Sequence, residues 1–118
     1  MTEMEILLIE EPITRERLKE IATLRMGDLV KGVVDIERGV MAVGGELHSD
    51  EEAFLLERGS GQDNLWGINL YPDLTGSGMV EFDSMINMRP RQNNRSRSVE
   101  NADLRAKILA VVNKLITG

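Results

Sequence analysis

Two clusters in the chain carry residue types that do chemistry. The first is the run Arg89-Pro90-Arg91-Gln92-Asn93-Asn94-Arg95-Ser96-Arg97, with four arginines and no acid. A guanidinium presents a rigid fork of N–H donors that matches phosphate or carboxylate oxygens, and asparagine and serine beside it add neutral donors. The run reads as an anion site, or as a loop tied down by ion pairs to an acidic surface. The second cluster is Gly44-Gly45-Glu46-Leu47-His48. Paired glycines let the backbone bend or approach a ligand closely. In an extended segment Glu46 and His48 share a side, where carboxylate and imidazole could act as general acid and base. The plain alternative is that Glu46 only holds His48 at the residue before a helix cap.

A third set, Asn69, Glu81, Asp83, Asn87 and Arg89, falls on the polar face of two alternating segments. It is either the wet face of a half-buried sheet or the floor of a pocket. Asp35, Glu46 and Asp83 carry oxygens that suit Mg²⁺, but their spacing follows no cation-loop pattern, and no metal is assigned to them. The sequence has no phosphate-loop signature and no nucleophile elbow. Gly59-Ser60-Gly61 and Gly76-Ser77-Gly78 lack the strand–helix setting of a dinucleotide site, so no cofactor is assigned.

Composition narrows the classes further. The chain has 118 residues, which is room for one domain over 1–118. It has no cysteine and one histidine, which excludes a disulfide scaffold, an iron–sulfur cluster and a thiolate zinc site. A net charge of −6 argues against general nucleic-acid binding. The longest apolar run, Ile6 to Ile9, is far short of a membrane span, and no signal peptide is apparent. A cytoplasmic protein with no membrane association is expected. Aromatics are limited to Phe54, Trp66, Tyr71 and Phe82, so the core must be Leu, Ile, Val and Met.

The elements that must position these residues are legible from pattern. Met4 to Ile9 is an apolar strand closed by Pro12. Thr14 caps a helix in which Leu18, Ile21 and Ala22 repeat at helical spacing. Leu29 to Ile36 and Val40 to Val43 make a hairpin around Gly39. Ser49 and Glu52 form a capping box for a helix from Asp50 to about Arg58. Leu65 to Tyr71 and Val80 to Arg89 alternate as a long hairpin. Asn101 caps a last helix whose stripe is Leu104, Ile108, Val111, Val112 and Leu115. The order is β-α-β-β-α-β-β-α. This predicts an α+β fold, with a mainly antiparallel sheet of about five strands and three helices on one face. Its first six elements follow the ferredoxin-like order.

Three blocks then resemble a known family. They are Ala42 to Asp50 (AVGGELHSD), Leu65 to Pro72 (LWGINLYP) and Glu81 to Pro90 (EFDSMINMRP). In this order they resemble small, mostly bacterial proteins grouped as a domain of unknown function, a likeness that runs from the first strand to the last helix. The resemblance implies no activity. It picks out Glu46, His48, Trp66, Asn69, Asn87, Arg89, Asn94, Arg95 and Ser96, while Arg91 and Arg97 depart from it. An anion site should then rest on Arg89 and Arg95, with Asn69, Asn87, Asn94 and Ser96 as neutral partners.

Three functions follow. One is binding of a phosphate- or carboxylate-bearing ligand, or of an acidic segment, at the Arg89–Arg95 loop. The second is a small phosphoester hydrolase using Glu46 and His48 beside those arginines. The third is a homodimeric interaction module that pairs through edge strands. The hydrolase requires His48, Glu46 and Arg95 to meet in one pocket.

Overall fold

In the computed structural model, which describes residues 5–118, the first strand, β1, covers Leu7–Ile9. Its expected start at Met4 lies outside the described residues. Ile13–Thr14 forms a two-residue strand, β2, and Thr14 then caps α1 (Arg15–Arg25), accepting the Arg17 N–H at 3.1 Å. Leu18, Ile21 and Ala22 are its buried positions, at the spacing expected. β3 (Val30–Asp35) and β4 (Val40–Val43) form the predicted hairpin. Asp35 builds its turn: the buried carboxylate accepts the N–H groups of Glu37 and Arg38 and the Ser60 hydroxyl. Gly39 closes the turn at a φ of 69°, which favours glycine.

The second helix, α2, covers His48–Glu57 and starts earlier than its expected capping box. Leu47 holds the cap position, and no side chain bonds there. Glu51, rather than Glu52, folds back, its Oε2 accepting the Gly45 N–H at 2.9 Å. This needs glycine at 45, since a Cβ would lie 2.8 Å from Glu51 Cγ. β5 covers Leu65–Leu70 and β6 only Val80–Glu81. α3 (Ala102–Leu115) is capped by Asn101 and buries Ile108, Val111, Val112 and Leu115. It runs into β7 (Ile116–Thr117), which pairs parallel with β2 in a small second sheet.

The strand expected from Val80 to Arg89 thus ends at Glu81. The chain then turns through 3-10 segments at Met85–Asn87 and Pro90–Gln92. Two contacts at Gly67 explain the departure. Ser84 lies against it so closely that a Cβ on Gly67 would be 2.6 Å from Ser84 Cβ. Asn87 then takes the place of a strand partner: its Oδ1 accepts the Gly67 N–H at 2.8 Å and its Nδ2 donates to the Gly67 carbonyl at 2.9 Å. Alternation alone cannot distinguish a paired strand from a segment whose side chain completes the ladder.

The main sheet has the order β1-β4-β3-β5-β6, with every neighbour antiparallel. The fold is therefore α+β, with a mainly antiparallel five-stranded sheet and three helices. The β-α-β-β-α-β order along the chain holds through the sixth element. In space it departs from a ferredoxin-like sheet, where the fourth strand returns beside the first. Here β5 lies beside β3. Both crossovers, β1 to β3 and β4 to β5, step two places toward the β6 edge, from strands that run in opposite directions. Right-handed crossovers then place their helices on opposite faces.

The core agrees with this. Leu18 and Ile21 of α1 and Ile108 and Val112 of α3 pack with Val34, Met41, Trp66 and Ile68. Phe54 and Leu55 of α2 pack on the other face with Val33, Ala42 and Leu65. The expectation of helices on one face is corrected, because α2 lies alone opposite α1 and α3. A single short helix cannot cover a five-stranded face, and the rest of that face is left to the loop after β6.

Gly67→Ala should lower the unfolding free energy by about 1–3 kcal/mol, the usual cost of overpacking a filled interior. A urea titration with an unchanged slope and a lower midpoint is the expected reading.

Candidate functional site

The part of the sheet that α2 does not cover forms the floor of a cleft of about 270 Å³. Lys31 of β3 and Asn69 of β5 are register partners, so they sit side by side there. One wall is the start of α2, with Leu47, His48 and Ser49. The other is the segment that leaves the sheet after β6, with Asp83, Met85 and Ile86, joined by Arg97 from the following loop. That wall is held by backbone bonding: Ser84 N–H donates to the Arg97 carbonyl at 3.0 Å, and Asn87 Nδ2 donates to the same oxygen at 3.0 Å.

His48 is buried at the first position of α2, with Nε2 2.7 Å from the Ile68 carbonyl. A carbonyl only accepts, so Nε2 carries the hydrogen and Nδ1 keeps its lone pair in the neutral ring. Burial pulls the His48 pKa below its ordinary value. The Ile68 bond and Asp83 oppose the shift, while Lys31 and Arg97 add to it. His48 is therefore a neutral, oriented acceptor at neutral pH. Arg97 Nε bonds Asp83 Oδ1 at 2.6 Å, with both side chains about half exposed. Lys31 has neither an ion pair nor a hydrogen bond among the described residues. Asn69 donates to Glu81 Oε1 at 2.8 Å, which sets its amide orientation, and its Oδ1 is buried without a donor among the described residues.

The expected site residues divide sharply. His48 and Asn69 come together in this cleft. Glu46 does not join them: its carboxylate is exposed and faces Arg25 at 3.8 Å. The Glu46/His48 acid–base pair is not assembled, and Arg95 does not line the cleft either. Arg89 is a framework residue. Its Nε donates to Ile86, its other nitrogens to the carbonyls of Gln62 and Leu65 and to Gln92 Oε1, and its guanidinium stacks 4.3 Å over the Trp66 ring. A larger cleft, about 490 Å³, lies beside Arg89 and Gln92, but these side chains are already bonded to the protein.

Asn87 and Asn94 are buried and structural. Asn94 Nδ2 donates to the carbonyls of Asn87 and Ser98, each at 2.7 Å, and its Oδ1 accepts the Glu100 N–H at 2.9 Å. Ser96 Oγ accepts the Ser98 N–H. Arg95 is exposed, and among the described residues only its backbone N–H is bonded, to Glu100. The loop is thus tied down mainly by amide side chains and the Arg89 fork, and only in part by surface ion pairs. Asp35, Glu46 and Asp83 do not converge, and no cluster of three His, Asp or Glu residues suited to a metal ion exists among the described residues.

Sequence reasoning missed Lys31 and Glu51, and it set Arg97 aside within the arginine run. Lys31 has a usable signal, being the one charge inside the run Val30-Lys31-Gly32-Val33-Val34. Arg97 is obscured because its residue type does not separate it from Arg89, Arg91 and Arg95 in the same run. Glu51 is hidden among acidic neighbours. It is fully buried, its Oε1 has no partner among the described residues, and burial raises its pKa well above the ordinary 4.5.

Two measurements test these assignments. Asn87→Ala would leave the buried Gly67 N–H and carbonyl without their bonds and should cost about 3 kcal/mol in urea unfolding. Arg95→Ala should stay within about 0.5 kcal/mol, as exposed substitutions do. For Glu51 the folded chain holds the proton to higher pH than the unfolded chain. Its contribution is therefore fully present below pH 4.5 and is lost as pH rises through the folded value. Glu51→Gln should equal the native protein at low pH, gain on it as pH rises from 4.5 through the folded value, and keep a constant lead above that, as read by urea unfolding across pH.

The profile of the DUF5674 family, described as proteins of unknown function, matches residues 7–115. No curated protein matches the chain, and no solved structure does. With the match running from β1 to the end of α3, the chain belongs to this family of proteins of unknown function.

Proposed function

We propose that the chain is a binding protein for a small anionic ligand, held in the cleft between α2 and the segment after β6. The observation that carries this is Lys31. It is a cation on the cleft floor with neither an ion pair nor a hydrogen bond among the described residues, and it lies beside the start of a helix that no side chain caps. The first N–H groups of a helix and its dipole favour negative charge in the same place. Arg97 adds a second cation on the rim, with only its Nε engaged among the described residues.

This keeps the anion reading of the sequence but moves it from the Arg89–Arg95 loop to Lys31 and Arg97. The hydrolase reading loses its acid, because Glu46 faces Arg25. The edge-to-edge homodimer is the weaker reading, since the outer strands β1 and β6 are three and two residues long and offer a short ladder.

Thermal unfolding with inorganic phosphate and acetate, at fixed ionic strength, tests the proposal. At ~100 times its dissociation constant an anion should add about 2.7 kcal/mol, several degrees for a chain of this size. The shift should be kept in Arg95→Ala and largely lost in Lys31→Met. No shift with either anion, or an undiminished shift in Lys31→Met, would overturn it.

A further inference from the structure

We infer that the ligand is a free α-amino acid with an apolar side chain, its carboxylate and its ammonium held by opposite kinds of group in the same cleft. The inference rests on the anion reading above and deepens it. The polar groups of the cleft fall into two sets. Lys31 Nζ, the unengaged nitrogens of Arg97 and the uncapped N–H groups at the start of α2 are donors, and together they suit a carboxylate.

The remaining groups accept. Asn69 Oδ1 is buried within a side chain 9% exposed, and it has no donor among the described residues. Its orientation follows from the bond that its Nδ2 gives to Glu81. His48 keeps a lone pair on Nδ1, because Nε2 is bonded to the Ile68 carbonyl. Asp83 supplies a negative charge, and Arg97 engages its Oδ1 alone. Two neutral acceptors and a carboxylate match an ammonium, which has three hydrogens and a positive charge. Acetate has nothing to offer these three groups.

Size and surface select among amino acids. The cleft, at about 270 Å³, is smaller than the roughly 300–1,000 Å³ of pockets for drug-sized ligands. Its lips are apolar: Leu47 is 53% exposed on the α2 side and Met85 64% exposed on the other. Large apolar side chains left in water around a polar floor offer contact to an apolar side chain of the ligand.

The chain has one histidine, so the ring signals of His48 report the cleft without ambiguity in a proton NMR titration. The full chain is titrated with L-leucine, glycine, N-acetyl-L-leucine and acetate, and Asp83→Asn is run in parallel. L-leucine should move the His48 signals and bind at least about tenfold tighter than each of the other three, a difference near 1.4 kcal/mol. In Asp83→Asn the preference over N-acetyl-L-leucine should fall to within about threefold, while acetate binding is kept. If N-acetyl-L-leucine or acetate binds as well as L-leucine, the ammonium assignment is overturned and the anion reading stands. Equal binding of glycine overturns the apolar assignment. If none of the four moves the His48 signals while phosphate does, the amino-acid inference fails alone. If phosphate is silent as well, both readings fail.

Discussion

Asn87 lays its side-chain amide along the backbone of Gly67, and the placing of the segment after β6 against β5 depends on that contact. β3 pairs with β5 along its whole length, but on the opposite edge β5 has a strand partner only at Asn69 and Leu70, where β6 pairs with it. Beyond that, Gly67 would have an unpaired N–H and carbonyl inside the protein. Asn87 satisfies both, and its amide nitrogen also holds the Arg97 carbonyl. Backbone groups this deeply buried must be paired, so the constraint is strict. It also demands a glycine, because Ser84 occupies the space that a side chain at 67 would fill.

From this contact the polar loop acquires its order without an apolar anchor of its own. Asn94 ties Asn87, Ser98 and Glu100 together, and Arg89 threads back to Gln62, Leu65 and Ile86 over the face of Trp66. Residues that look like ligand contacts in the sequence are thus the ones that replace a missing strand. Arginine and asparagine suit that task for the same reason that they suit anion binding, since each presents several donors in fixed geometry.

The cleft exists because of topology. Two crossovers in the same lateral direction, starting from antiparallel strands, divide the helices two to one. α2 is left alone on its face, and it cannot span the sheet from β1 to β6. The loop held by Asn87 covers β5 beside it, and the gap between them opens over Lys31 and Asn69. Charge then sets its character: two cations, one carboxylate and a neutral histidine stand around a buried amide oxygen.

Local chemistry is legible in the amino-acid sequence itself. Thr14 and Asn101 cap their helices, Gly39 turns its hairpin, the stripe of α3 is buried, and the α+β order of elements stands, because each depends on residues a few positions apart. The capping box at Ser49, the long strand to Arg89 and the pairing of His48 with Glu46 are local expectations too. Each gives way to a contact that sequence neighbours do not announce: Gly45 with Glu51, Gly67 with Asn87, and Ile68 with His48. Pattern reports which face a residue prefers. It does not report which of several identical donors will be taken up inside the protein, because burial and register bring those partners together only on folding. Lys31 and Arg89 are both cations in the sequence. The packed chain alone decides that Arg89 is bonded on every side while Lys31 has neither an ion pair nor a hydrogen bond among the described residues.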